Sequence, residues 1–159
     1  MIKDSGHRRE FETGAVRDAQ EGRGRCDLLP LTEVSVVMDD VIIARIGAFV
    51  DTTDPRWLVD AMQGFCKAMY GGEYADMILE VSKHYEEGCL KYGERNWEKG
   101  IPLHCYIDSG VRHYLKYLRG DTDERHDRAF VWNILGALWT INHKPELIDI
   151  GGRNGNDAT

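Results

Sequence analysis

From Glu73 onward the chain carries three long stretches whose apolar residues recur at helix spacing, each stopped by glycine or proline. Met77, Val81, Tyr85 and Cys89 mark one face of a helix over about 73–92, and Val111, Leu115 and Leu118 one face of a second over about 105–118. Val131, Ile134, Leu135 and Leu138 mark a third over about 123–143, with Asp121 or Thr122 as its expected cap. Gly93 with the NWEKGIP loop, then Gly120, then Pro145 end them, because glycine closes helices and proline lacks the N–H that a helix interior needs. Upstream, LTEVSVVMDDVIIARIGAFV has apolar spacing that predicts one helix through about Phe49. Asp54 or Thr53 then caps a helix from near Pro55 to about Met69, broken at Tyr70–Gly72. The predicted fold class is all-α: four or more helices in a bundle, with irregular loops at its ends.

At 159 residues the chain is long enough for one domain with a real core. Its predicted organisation is a polar N-terminal segment over 1–30, a helical domain over 31–147 and a disordered tail over 148–159. Residues 5–30 are rich in arginine, acids and glycine. They read either as a flexible tail or as a loop whose arginines and amides wrap a phosphate, and composition does not choose between the two. A net charge of −7 argues against a nucleic-acid binder, which would show a basic face, though it leaves a nucleotide substrate open. No apolar run reaches the roughly 20 residues that span a bilayer, and the charged N-terminus is no signal peptide. Cys26, Cys66, Cys89 and Cys105 are scattered without a CxxC pair, which points to reduced thiols and a cytoplasmic protein.

Chemistry concentrates between His84 and Asn133. Glu124 and Asp127, three apart, fall on one side of the last helix, where one divalent cation can reach both; the alternative is a solvated first turn favoured by the helix dipole. Arg112 is placed either to clamp a phosphate or to pair with Asp108 one turn away, with His113 beside it. Glu80, His84, Glu87 and Lys91 form a charged stripe that is equally a solvated face, and Glu86 lies between it and the core. Lys91 and Asn96 suit a phosphate contact. Trp97 is either a base-stacking aromatic or a core plug, and Asn133 lies at the edge of its helix's apolar stripe. There is no P-loop and no GxGxxG.

The blocks HYEEGCLKYGERNWEKGIP, SGVRHYLKYLRG and DERHDRAFVWN, with SGHRREFETGAVRDAQEGRGRCDLLP at the N-terminus, resemble the phage dATP/dGTP diphosphohydrolases. Those belong to the wider MazG-like all-α nucleoside triphosphate pyrophosphohydrolases. The resemblance implies a MazG-like helical bundle that assembles as a homodimer or homotetramer. It implies Mg²⁺ or Mn²⁺ held on carboxylates, and a metal-activated water that breaks the α–β anhydride of dATP or dGTP. In phages that use 2-aminoadenine, such an enzyme clears dATP and supplies dGMP. Carried onto this sequence, Glu124 and Asp127 fit the ExxD half of the metal motif. The ExxE half has no counterpart here, and Glu86 and Glu87 take its place, with Glu80 in reserve. Lys91 joins the catalytic set and, with Arg112, faces the leaving pyrophosphate. The resemblance makes Arg9, Arg17 and Arg25 part of a loop closing over the nucleotide, and makes Asn96, Trp97, His113 and Asn133 its further contacts. Two other classes stay in view: a nucleotide-binding regulator without turnover, and a helical interaction protein whose charged stripes are simply solvated.

Overall fold

A computed structural model describes residues 6–151. Six helices follow a short hairpin: β1 Arg8–Glu10 and β2 Val16–Asp18, then α1 Leu31–Met38, α2 Val41–Thr52, α3 Arg56–Met69, α4 Tyr74–Tyr92, α5 Leu103–Arg119 and α6 His126–His143. The strands pair antiparallel with Arg9 opposite Arg17. The all-α class holds, and no helix among the described residues is long and apolar enough to cross a membrane.

The α5–α6 pair is the centre of the bundle. α4 and α3 pack on α6, and α2 lies between α1 and α3. Phe65, Phe130, Tyr106, Tyr114, Ile107 and Ile134 are fully buried there. The α5–α6 approach is set by Gly136, where an added Cβ would overlap the Tyr106 ring. We expect Gly136→Ala to destabilise by about 1–3 kcal/mol through overpacking, outweighing alanine's roughly 1 kcal/mol better helix propensity. A melting temperature equal to or above wild type would show that the helices separate freely.

Two boundaries differ from those predicted. The single helix expected from Leu31 through Phe49 is two helices: Asp39 takes a left-handed φ of 51° and closes α1, and the Asp40 carboxylate accepts the Ile43 N–H at 2.9 Å as the cap of α2. The last helix starts at His126 rather than about Asp123, and neither Asp121 nor Thr122 caps it. Gly120, at φ 87°, ends α5, Asp121 is held by Arg119, and Asp123 accepts from the His126 ring, so these acids are already engaged. Glu124 therefore precedes the helix, and Glu124 and Asp127 are not an i, i+3 helical pair. After α6 the chain turns through Pro145–Leu147, and Ile148 and Ile150 pack on the core. Most of the expected disordered tail, from residue 152, lies outside the described residues.

Candidate active site

The N-terminal segment is too polar to bury a core of its own, and its backbone is satisfied instead by side chains of the bundle. Asn96 grips β2 from both sides, its Oδ1 accepting the Val16 N–H and its Nδ2 donating to the Val16 carbonyl, each at 2.8 Å. Buried Asp108 accepts the Cys26 N–H at 2.7 Å, while Arg112 pairs with Asp108 and donates to the Gly24 carbonyl at 2.9 Å. The Thr13 hydroxyl donates to the Gly100 carbonyl. Residues 8–27 thus lie across α4, α5 and α6 as a roof.

Beneath this roof is a cavity of about 250 Å³. Its lining is rich in basic groups: Arg9, Arg17, Arg23, Arg112 and Lys116. Arg17 is its most unusual member. Its Nη2 donates to Ser109 Oγ and Asn133 Oδ1, both neutral and both at 3.2 Å, while its buried Nη1 has no partner among the described residues. The guanidinium lies 5.5 Å from the Trp132 ring and 5.6 Å from that of Tyr106. Among the described residues no carboxylate is within ion-pair distance of it. Burial lowers its pKa, opposed by Tyr106 and Cys105, yet a guanidinium stays protonated in proteins. Arg9, whose buried Nε also lacks a partner, donates to Cys105 Sγ at 3.3 Å. A fork-shaped cation that lines a cavity and keeps a donor unpaired among the described residues suits an oxyanion such as phosphate.

The lining also carries acids and imidazoles, namely His84, His113, Asp123 and Glu124, with His126 in contact with His113. His113 Nδ1 and His126 Nδ1 face each other at 2.9 Å, His126 Nε2 contacts Asp123 Oδ1 at 2.8 Å, and Glu124 Oε2 is 4.0 Å from His126 Nδ1. Burial, then the His126 ring, pushes the His113 pKa well below its usual value. His84, which also lines the cavity, is pushed down to about 4 by burial, with Glu87 opposing. Both imidazoles are therefore neutral at pH 7 and available as acceptors or ligands.

Of the residues picked from the sequence, Arg9, Arg17, Asn96, Arg112, His113, Glu124 and Asn133 line the cavity. Others do not. Glu86 is exposed, because two residues of helix place it roughly 200° around α4 from His84, which faces the cavity with Gly88 and Tyr92 at four-residue steps. Glu87 is half-buried near His84 but outside the lining. Glu80 is held by Lys83 and Arg128, which bring its pKa down to about 2. Asp127 turns the other way, accepting from the Tyr70 hydroxyl at 2.7 Å and from both ends of the Arg125 fork. The predicted four-carboxylate metal cluster of Glu86, Glu87, Glu124 and Asp127 is therefore not gathered at one point. Lys91 is neutralised by Asp18 at 2.9 Å, and the half-exposed Arg25 is engaged in a double hydrogen bond to buried Asp27. Trp97 sits edge-on to Tyr85 and Trp139 in the interior, which makes it a core plug.

Sequence reasoning missed Trp132, Ser109, Lys116 and His126. Trp132 supplies the aromatic wall that Trp97 does not. Its adjacency to Asn133 in the FVWN block was the available signal. His126, outside the lining itself, is buried against His113.

The family model for the N-terminal domain of dATP/dGTP diphosphohydrolases matches residues 60–150, which takes in α4, α5 and α6 but not the hairpin that carries Arg17. No curated protein and no solved structure matches the chain. With more than half its length matched, and the matched helices forming the floor of the cavity, the chain belongs to the dATP/dGTP diphosphohydrolase N-terminal domain family.

Proposed function

We propose that this protein hydrolyses dATP and dGTP to the monophosphate and pyrophosphate. The observation that carries the reading is Arg17, a buried fork that has no counter-ion among the described residues and lines the cavity of a chain from this family. In the reaction a water oxygen bonds to the α-phosphorus, the bond from that phosphorus to the α–β bridging oxygen breaks, and the electron pair leaves with pyrophosphate. Arg17, with Arg9 and Lys116 of the same lining, balances the charge that builds on the departing group. Glu124 takes the proton of the attacking water. Trp132 offers the base a flat apolar wall.

The family implies a divalent cation. Among the described residues, His113, Glu124 and His126 offer ligand atoms close enough together to hold one, and their imidazole and carboxylate donors fit such an ion. When bound, it lowers the pKa of a coordinated water and screens phosphate oxygens. In a phage that uses 2-aminoadenine, the reaction drains dATP and provides dGMP.

The test is product analysis after incubation with each dNTP and NTP plus Mg²⁺ or Mn²⁺. Monophosphate and pyrophosphate from dATP and dGTP are expected. Nucleoside diphosphate and phosphate would place the cut at the other anhydride and overturn the reading. Nucleotide binding without turnover would leave a regulator.

A further inference from the structure

We propose that Asn96 is a positioning residue for Arg17: it clamps the free edge of β2 and so sets where Arg17 enters the cavity, without itself holding the nucleotide. For its purpose this rests on the pyrophosphohydrolase reading; its structural test does not. A two-stranded hairpin is marginal by itself, and β2 is only three residues long. The Phe11 N–H donates to the Ala15 carbonyl at 2.9 Å, and the Ala19 N–H to the His7 carbonyl at 3.1 Å. Bonded pairs alternate along an antiparallel ladder, so Val16, opposite Glu10, turns its own N–H and carbonyl away from β1. Those two groups are the ones that the Asn96 amide meets, each at 2.8 Å. One buried side chain thus stands in for a third strand, at the residue beside Arg17.

The clamp decides the register, because a slip of one residue along β2 would turn Arg17 to the other face of the hairpin. The fork's own bonds hold it less firmly. Those to Ser109 and Asn133 are 3.2 Å long and neutral, against 2.8 Å for both bonds at Val16. Arg9, opposite Arg17 on β1, is placed by the same clamp. Asn96 is in turn held by its neighbours in the chain. Arg95 takes a left-handed φ of 54°, which is costly for a residue with a Cβ, and Trp97 is wedged between Tyr85 and Trp139. Strain of that kind persists only where the surroundings impose it, and here it delivers the amide to the strand edge. With both polar atoms turned to Val16, Asn96 lines the cavity as a support and not as a ligand.

The experiment compares Asn96→Ala, Arg17→Met and the double variant in the full-length protein, by nuclear magnetic resonance and by dATP hydrolysis. In Asn96→Ala the Val16 amide proton is expected to exchange at least about tenfold faster. The Trp132 indole resonance should move toward its position in Arg17→Met, since the guanidinium lies 5.5 Å from that ring. In the wild-type background kcat/KM should fall by roughly ten- to a hundredfold, because a misplacement of about 1 Å can cost that much. In the Arg17→Met background the further loss should be less than about threefold. Asn96→Ser, whose short hydroxyl cannot span both groups of Val16, should follow Asn96→Ala and covers the case of an alanine variant that folds poorly. An equal loss of kcat/KM in both backgrounds would make Asn96 a substrate contact and overturn the assignment. So would a Val16 amide as protected as in wild type, or a Trp132 resonance that stays in place. A wild-type protein that hydrolyses no dATP would sink the enzyme reading alone, because exchange and resonance still report whether Asn96 seats Arg17.

Discussion

Replacing Arg17 by methionine is expected to lower kcat/KM for dATP and dGTP by roughly two to three orders of magnitude while the melting temperature stays level or rises. Each hydrogen bond from a charged donor is worth about 1.5–3 kcal/mol, and about 1.4 kcal/mol is a factor of ten, so losing a two-pronged phosphate contact reaches that range. Stability should not fall in step. Among the described residues the guanidinium is buried without a carboxylate, its two bonds to Ser109 and Asn133 are long and neutral, and one of its buried nitrogens has no partner. Burying a charge so poorly compensated works against folding, and a methionine can fill the space between Trp132 and Tyr106 without that burden. Arg17→Lys keeps the charge but not the fork, and should fall between wild type and Arg17→Met. Turnover within about threefold of wild type in Arg17→Met would move the phosphate site elsewhere. A matching collapse of melting temperature would make Arg17 a packing residue.

The helices from Arg56 onward were legible because each buries one face, so the 3.6-residue period and the glycine or proline stops carry the information. The break at Asp39–Asp40 was hidden inside a continuous apolar pattern, since it depends on one left-handed residue and one cap that periodicity does not register. The site was legible in part for a related reason. A helical angle says which residues share a side, but not which neighbour that side meets. On α4 it is His84, Gly88 and Tyr92 that line the cavity, so Glu86 and Glu87, carried over from the family motif, fall outside it. The opposite error arose where a charge meets its partner across the fold. Lys91 reads as a free phosphate ligand until Asp18, far away in sequence, is seen against it. The hairpin itself was open between tail and loop because its order comes from Asn96 and Asp108, not from its own composition.

Asp127→Asn should separate a structural carboxylate from a metal ligand. Asp127 is buried at the start of α6 and joins it to the end of α3 through the Tyr70 hydroxyl, with Arg125 bound in a double hydrogen bond. We expect the substitution to destabilise by about 2–3 kcal/mol, the range for hydrogen bonds to a charged group; the part due to Arg125 is reduced because that side chain is half-exposed. For a domain of this size the melting temperature should drop by roughly 4–12 °C. Burial alone would raise this carboxyl's pKa, but the donors of Arg125 and Tyr70 outweigh it and hold the pKa below its usual value. A depressed folded-state pKa means that the stabilisation is full above the unfolded value of about 3.9 and is lost as pH falls through the lower folded value. The gap in stability between wild type and Asp127→Asn should therefore be constant above about pH 5 and close progressively below about pH 4. Mn²⁺ binding should survive the change at temperatures where the variant is folded. A variant with wild-type melting temperature that no longer binds the ion would instead return Asp127 to the metal, and would require α6 to rotate its first turn toward Glu124.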